Sequence, residues 1–366
     1  MTAAPVHLAR LESDVPLAPD ASLKLLPRNP QDVASILRYA SDKSLSIQVW
    51  GGGSRSGYGS PPDPDIVMSM QGLSGVEKWE PDDLTLVLGA GASVEDVELM
   101  LSERNQTAVL PEVPGPSTIG GVIATGASAF RRTRLYGTRE RVLEATVVTG
   151  DGRIVRGGGR VVKNVTGYDL PRLMVGAFGS LGVVVSVCLK LWPAPPHQAT
   201  VTISTPDDAQ RVARPLAVLE DRESTRVFIW GTPAEVAAKA AKLDGDLVEG
   251  HVWPSDPDDE FGWSLRVPPA LTTVAVSRLP QGWDFIALHG VGELRAASVG
   301  LEGAAELREW AEEAGGHLVV TKAPASGLDG FEPWGAPPAA LEIQRRLIAE
   351  FDPARVINPG RLPGGL

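Results

Sequence analysis

Two spacings of apolar residues alternate along the first half of the chain. Val33, Ile36, Leu37 and Ala40 recur at helical spacing behind Asn29-Pro30, which predicts a helix capped by Asn29 with proline in its first turn. Short apolar runs at 46–50 (SIQVW), 66–70 (IVMSM) and 84–90 (LTLVLGA) predict strands. Ser93 with Asp96 three positions later predicts a capped helix over 94–103. Two runs rich in Val, Thr and Ile flank Asp151-Gly152 and predict a hairpin over 142–158. A short helix is expected to begin at 168–171, and the run LGVVVSVCLKLW at 181–192 predicts a buried strand ended by Pro193.

After the PAPPH tract at 193–197 the pattern lengthens and glycine turns thin out. Helices are expected at 207–220, 233–243, 303–314 and 338–350, with strands near 226–230, 271–277 and 284–289. The tract is the best linker candidate, which divides the chain into 15–195, an α+β unit at 196–345, and a tail at 346–366. That tail, FDPARVINPGRLPGGL, has two proline turns and little core of its own, so it is expected to pack back on the first unit.

Composition narrows the class. The 366 residues include 40 Gly and 31 Pro, an excess spread among apolar segments, and 43% of the chain is hydrophobic, enough for real cores. A net charge of −11 with no long Lys/Arg run argues against nucleic acid as a partner. One cysteine, Cys188, leaves this chain no disulfide and no thiolate-bound zinc or iron–sulfur cluster of its own. The five histidines, His7, His197, His251, His289 and His317, lack metal-ligand spacing, so no metal is expected. No apolar run approaches the ~20 residues that span a bilayer, so no direct membrane insertion is expected.

Two glycine-rich segments carry the candidate chemistry. GGGSRSGYG at 51–59 follows a predicted strand but fits neither the Walker pattern nor G-x-G-x-x-G, since Ser56 stands where the third glycine belongs. It reads either as a connector or as a nest of backbone N–H groups converging on an anion such as a diphosphate. In PGPSTIGGVIATGASAF at 114–130, Gly120, Gly121, Gly126, Ala124, Ala127 and Ala129 leave a face almost without side chains. Small residues forfeit about 0.8 kcal/mol per missing methylene of burial, so a flat ligand against the backbone explains them better than plain core. Arg131, Arg132 and Arg134 follow, as surface charges or with one facing an anionic ligand. LTLVLGAGASVEDVELML superficially suggests a dinucleotide fold, but Val94 occupies the third-glycine position and a turn plus capped helix suffices.

These segments, together with KNVTGYDLPRLMVGAFGSLGVVVSVCLKLWP, resemble the PCMH-type FAD-binding domain of the vanillyl-alcohol-oxidase superfamily. More closely, the third block and the tail FDPARVINPGR resemble the E-subunit family of bacterial glycolate oxidases. The resemblance implies an α+β fold: a two-subdomain PCMH-type FAD-binding domain followed by a smaller α+β C-terminal domain. It implies that Gly51, Gly52, Gly53, Ser54, Arg55 and Ser56 wrap the FAD diphosphate. Ser117, Thr118, Gly120, Gly121 and Ala124 would lie along the flavin and ribityl chain, and Val162, Gly167, Gly179 and Val183 would close over the adenosine. Relatives with covalent flavin usually carry a histidine in the first loop; Arg55 and Ser56 stand there, so FAD is expected to be non-covalent.

No catalytic residue is legible. Flavin oxidation of a 2-hydroxy acid calls for a base and a cation near the substrate, and the scattered histidines offer no such cluster. The expectation is therefore a chain that works in company. The resemblance implies a catalytic flavoprotein subunit and an iron–sulfur subunit as partners, glycolate or another small 2-hydroxy acid as substrate, and a cytoplasmic location, peripheral to the membrane face through those partners. A self-sufficient FAD oxidoreductase of a small hydroxy acid or alcohol, and a flavin-free structural subunit, stay open. Most of the nine tryptophans are expected in cores rather than at a partner surface.

Overall fold

A computed structural model describes residue 8 and residues 21, 23–60, 63–112, 115–160, 168–324 and 327–366. The first region builds two sheets. Strands β1 (Leu23–Leu25), β2 (Ile47–Trp50) and β3 (Ile66–Ser69) run parallel in the order β1-β3-β2. Helix α1 (Pro30–Lys43) covers them, capped as expected by Asn29 accepting from the Asp32 amide at 2.8 Å. Its buried face is Val33, Ala34, Ile36, Leu37 and Ala40. The second sheet is antiparallel, in the order β4-β5-β9-β7-β8, from β4 (Val76–Glu80), β5 (Thr85–Gly89), β7 (Val142–Val148), β8 (Ile154–Gly158) and β9 (Val183–Lys190). A short β6 (Gln106–Thr107) pairs with β10 (Trp192–Pro193). Helices α2 (Val94–Ser102), α3 (Ile119–Thr125) and α4 (Leu170–Met174) pack into the core of this sheet through Val97, Leu101, Ile119, Val122, Ile123 and Met174.

Residues beyond 196 form one antiparallel sheet of eight strands, ordered β14-β11-β13-β12-β16-β17-β15-β18. Its strands are β11 (His197–Ile203), β12 (Ala217–Glu220), β13 (Thr225–Gly231), β14 (Asp246–Glu249), β15 (Phe261–Arg266), β16 (Asp284–Leu288), β17 (Glu293–Ser298) and β18 (His317–Lys322). Helices α5 (Pro233–Ala240), α6 (Thr272–Arg278) and α7 (Ala304–Glu313) accompany the sheet, and α8 (Leu341–Phe351) begins the tail. Three sequence expectations change here. The helix expected over 207–220 is a 3-10 turn at Pro206–Arg211 followed by β12. The strand expected at 271–277 is α6, entered through Pro268 and Pro269. The tract at 193–197 is no free linker, because β10 ends at Pro193 and β11 starts at His197.

The two regions share a core. Val109, Ala129, Phe130 and Leu135 pack against Leu216, Leu219, Phe228, Ile286 and Leu288, and Trp253 stacks on Phe228 with ring centroids 4.0 Å apart. Trp263 and Trp283 are buried within the large sheet's own core, while Trp230 and Trp253 flank the shared one. The tail returns to the first sheet. Ile47 donates to the Val356 carbonyl at 2.7 Å and accepts from the Asn358 amide at 2.8 Å, a parallel bridge beside β2. Val356 and Ile357 are buried with Ile36 and Met68.

Candidate functional site

The loop after β2 bends back over that strand and lines a cavity of about 120 Å³, open at its mouth. Gly51, Gly52, Gly53, Ser54, Arg55, Ser56, Thr118, Gly120, Gly121, Ala124, Gly179 and Val183 all line it, brought together from three segments. Ser117 stands just outside the wall, where its buried hydroxyl accepts from Arg55 Nη1 at 2.8 Å. Val162 and Gly167 lie outside the described residues.

The glycines here are set by contact rather than by taste. A Cβ on Gly51 would stand 2.3 Å from Thr118 Oγ1, and one on Gly52 would stand 1.2 Å from the Pro116 carbonyl oxygen. Gly120 faces protein, since its Cβ would meet the Ala90 side chain and carbonyl at 3.0 Å. Gly121 faces the cavity, with only Thr118 Oγ1 at 3.3 Å. The small-residue segment is therefore half packing and half cradle. Thr118 caps α3 by accepting from the Gly121 amide at 3.3 Å, and Gly126 closes the helix at φ +66°. Further along the loop, Gly57 and Gly59 let the chain lie against β18 and Trp334: a Cβ on Gly57 would meet Thr321 O at 2.6 Å.

Two buried polar atoms on this cavity have no hydrogen-bond partner among the described residues, Trp50 Nε1 and Gln48 Oε1. Such atoms cost about 1–3 kcal/mol each when left unmade. The tail supplies two lining residues that sequence reasoning missed. Asn358 accepts from the Val49 amide at 3.0 Å and donates to the Phe178 carbonyl at 3.0 Å, tying β2 to the loop before β9. Arg361 donates to the carbonyls of Ser56, Arg55 and Ser60, holding the first loop. Burial lowers its pKa to about 10, and no carboxylate faces it among the described residues. A buried cation with only carbonyl partners fits a wall that meets an anionic diphosphate. The signal in the sequence that points to them is the NPGR run at 358–361.

A second pocket adjoins the first, and Ser54, Arg55, Thr125 and Phe178 line both. It lies between the first region and the face of β15, β17 and β18. Its wall holds Tyr58, Asp256, Trp263, Arg266, Glu293, Arg295 and His317. Its cations Arg55, Arg266 and Arg295 were not singled out together by the sequence, since they come from the first glycine loop, β15 and β17. Glu293 bonds Arg266 at 3.1 Å and Arg295 at 3.3 Å and also pairs with Arg132; Arg295 reaches Asp256 at 2.8 Å. Burial works against the Glu293 charge, but Arg266, Arg295 and Arg132 outweigh it and hold its pKa below the ordinary value. Burial likewise opposes the Arg295 charge, and Asp256 and Glu293 reverse it, raising its pKa. Burial pushes the Tyr58 phenol up, so it is a neutral donor at pH 7. His317 is lowered by burial and by Arg266, so it is neutral there as well. Arg131 is no surface charge, being buried against Glu112 at 2.5 Å, and Arg132 is spent on Glu293.

The FAD binding domain family matches residues 21–158, which hold both glycine-rich segments. Over 340 residues the chain is 28% identical to glycolate oxidase subunit GlcE of Escherichia coli, covering 88% of this chain and 93% of that one. It is 32% identical to D-lactate dehydrogenase of Archaeoglobus fulgidus over 66% of this chain but only 53% of that protein. It is 30% identical to glycolate oxidase subunit GlcD of Bacillus subtilis over 50% of this chain and 39% of that one. The chain thus spans about half the length, or less, of the dehydrogenase and GlcD relatives. Among solved structures, alkyldihydroxyacetonephosphate synthase superposes over 93% of this chain and 76% of its own, with a TM-score of 0.63 at 13% identity, a likeness of fold. The chain is an FAD-binding oxidoreductase of PCMH-type fold, with its FAD binding domain at residues 21–158.

Proposed function

We propose that this chain is the FAD-bearing subunit of a glycolate oxidase-like complex. In that complex a small 2-hydroxy acid such as glycolate loses two electrons and two protons to become the 2-oxo acid, here glyoxylate. The observation that carries the reading is span. The chain matches nearly all of the Escherichia coli oxidase subunit, whereas it matches only part of the larger dehydrogenases. A single cysteine, Cys188, buried in β9, supports assigning the iron–sulfur centre and the onward electron path to a partner. The other partner is a catalytic flavoprotein subunit. Among the described residues no helix is long and apolar enough to cross a membrane, and we place the assembly in the cytoplasm, reaching the membrane face through its partners.

The reading assigns 15–195 to the FAD-binding domain, 196–345 to the reduced cap and 346–366 to a closing tail. Gly51, Gly52, Gly53, Ser54, Ser56 and Arg361 hold the diphosphate, and Arg55 turns onto Ser117 where the two pockets meet. Ser117, Thr118, Gly121 and Ala124 border the flavin and ribityl chain, and Gly179 and Val183 border the adenosine. FAD supplies a two-electron acceptor that releases electrons singly. Its attachment is non-covalent, since no histidine stands in the first loop.

A second reading, turnover of hydroxy acid by the chain alone, is favoured by the arginine-lined pocket beside the cavity. Anaerobic mixing with glycolate or D-lactate separates the two. The complex reading expects the purified chain to be yellow, to release all flavin on acid precipitation, and to stay oxidised, with turnover returning on co-expression with both partners. Rapid bleaching of the isolated flavin favours the second reading, and a colourless chain that binds no added FAD overturns both.

A further inference from the structure

The second pocket has an unequal inventory of hydrogen-bonding groups. Its inner carboxylates are committed: Glu293 is shared by Arg132, Arg266 and Arg295, and Asp256 is held by Arg295. Its donors are not. Arg55 donates to the hydroxyls of Ser117 at 2.8 Å and Ser54 at 3.4 Å and forms no ion pair among the described residues; Asp256 and Arg295 act on its charge from across the pocket with opposite sign. The Tyr58 hydroxyl lines the same pocket with no hydrogen-bond partner among the described residues. Tyr58 itself is fixed, its ring 5.9 Å from Phe178, and Gly59 pins the following backbone by donating to the Val320 carbonyl at 3.4 Å. The remaining carboxylate of the lining, Asp259, accepts from the Glu260 amide at 2.8 Å and belongs to the 256–259 segment rather than to the strands of the sheet face. In a chain of net charge −11, this interior is donor-rich and cationic.

We propose that this pocket binds a small carboxylate, with the Arg55 guanidinium as its charge partner and the Tyr58 hydroxyl as its second donor. A carboxylate has two oxygens and accepts from both at once, satisfying the two groups the protein leaves open. Trp263, Trp334 and Phe178 supply apolar wall for the rest of a short acid. Because Arg55 also lines the neighbouring cavity, the anion sits where the two pockets meet. The inference deepens the function proposed above and rests on it for the identity of the neighbouring cavity. It adds an anchor residue, contributed by the first glycine loop itself, that neither composition nor spacing marks.

The test is calorimetric, so that it does not depend on flavin reduction. The flavin-loaded chain is titrated with oxalate, a two-carbon dicarboxylate that cannot be oxidised to a 2-oxo acid, and with ethylene glycol as the uncharged control. Saturable oxalate binding is expected, and none for ethylene glycol. Tyr58→Phe, which keeps the ring and its packing, is expected to weaken oxalate about tenfold, the loss of one charge-assisted hydrogen bond, at unchanged flavin content. Arg55→Gln is expected to abolish oxalate binding. If that variant also loses flavin, Tyr58→Phe decides alone. Absence of oxalate binding to a flavin-loaded chain overturns the inference and leaves the proposed function standing, as does oxalate binding that Tyr58→Phe does not change. A chain that holds no flavin but still binds oxalate in a Tyr58-dependent way overturns the function reading instead.

Discussion

A glycine can be required for the space its hydrogen leaves to a ligand or to the protein itself, and this chain uses both kinds side by side. The sequence suggests that an aspartate at position 52 would fail by facing the diphosphate with a like charge. The geometry assigns a different reason: any Cβ there runs into the Pro116 carbonyl oxygen at 1.2 Å. Gly52→Ala should therefore be as damaging as Gly52→Asp, with flavin-to-protein absorbance near zero in both; retention of flavin by the alanine variant alone would restore the charge explanation. Position 121 behaves oppositely, because its Cβ would point into the cavity with a single neighbour at 3.3 Å. Gly121→Val should lose flavin while the apoprotein stays folded, since the added Cβ meets only Thr118 Oγ1. Equal flavin content in wild type and variant would show that the face is not a cradle.

At the scale of elements, what was legible followed local chemistry. Asn29 and Ser93 announced their helices because an N-cap acts within three residues, and Asp151-Gly152 announced its hairpin because the turn needs φ > 0, met by Gly152 at +79°. The first cavity was legible for a similar reason: close approach needs small residues in a row. The large sheet was not. LTTVAVS at 271–277 has strand composition but follows Pro268-Pro269 and becomes α6, packing overriding a weak β preference. The second pocket left no mark, since Tyr58, Arg266, Glu293, Arg295 and His317 meet only after the sheet is paired. One buried histidine gives that sheet a pH signature. His251 donates from Nε2 to the Ile229 carbonyl at 3.0 Å beside Phe228 and Trp253, and burial lowers its pKa from 6.5 to about 4. The unfolded chain thus takes its proton first, so this contribution is complete above pH 6.5 and is lost as pH falls toward 4. The loss reaches at most about 3 kcal/mol. Urea unfolding at pH 7 and 4.5 should show a gap that narrows in His251→Gln; an equal gap in both proteins would remove His251 as its source.

For the whole molecule, the first glycine loop is held from three directions by segments far apart in sequence. Trp50 packs beneath Gly53, where a Cβ would meet the indole at 2.6 Å; β18 receives Gly57 and Gly59; and the tail reaches over with Arg361. Arg361 in turn is placed by its own backbone, whose carbonyl accepts from Trp334 Nε1 at 3.1 Å, and Trp334 stands edge-on to Phe178 at 5.0 Å. The tail therefore closes a circuit joining both glycine loops, the large sheet and the C-terminus around one cavity. Removing the guanidinium should act on the loop without unfolding either sheet, because the Ile47–Ile357 bridge and the buried Val356 are untouched. The charge-assisted hydrogen bonds to carbonyls are worth about 1.5–3 kcal/mol each against weaker bonds to water. Arg361→Met, which keeps the bulk of the stem, should weaken FAD at least about tenfold, measured as flavin fluorescence released on dilution. Far-ultraviolet circular dichroism of the apoprotein should stay near wild type. Unchanged FAD affinity in Arg361→Met would mean that the loop is held by Trp50 and β18 alone and that the tail merely covers it.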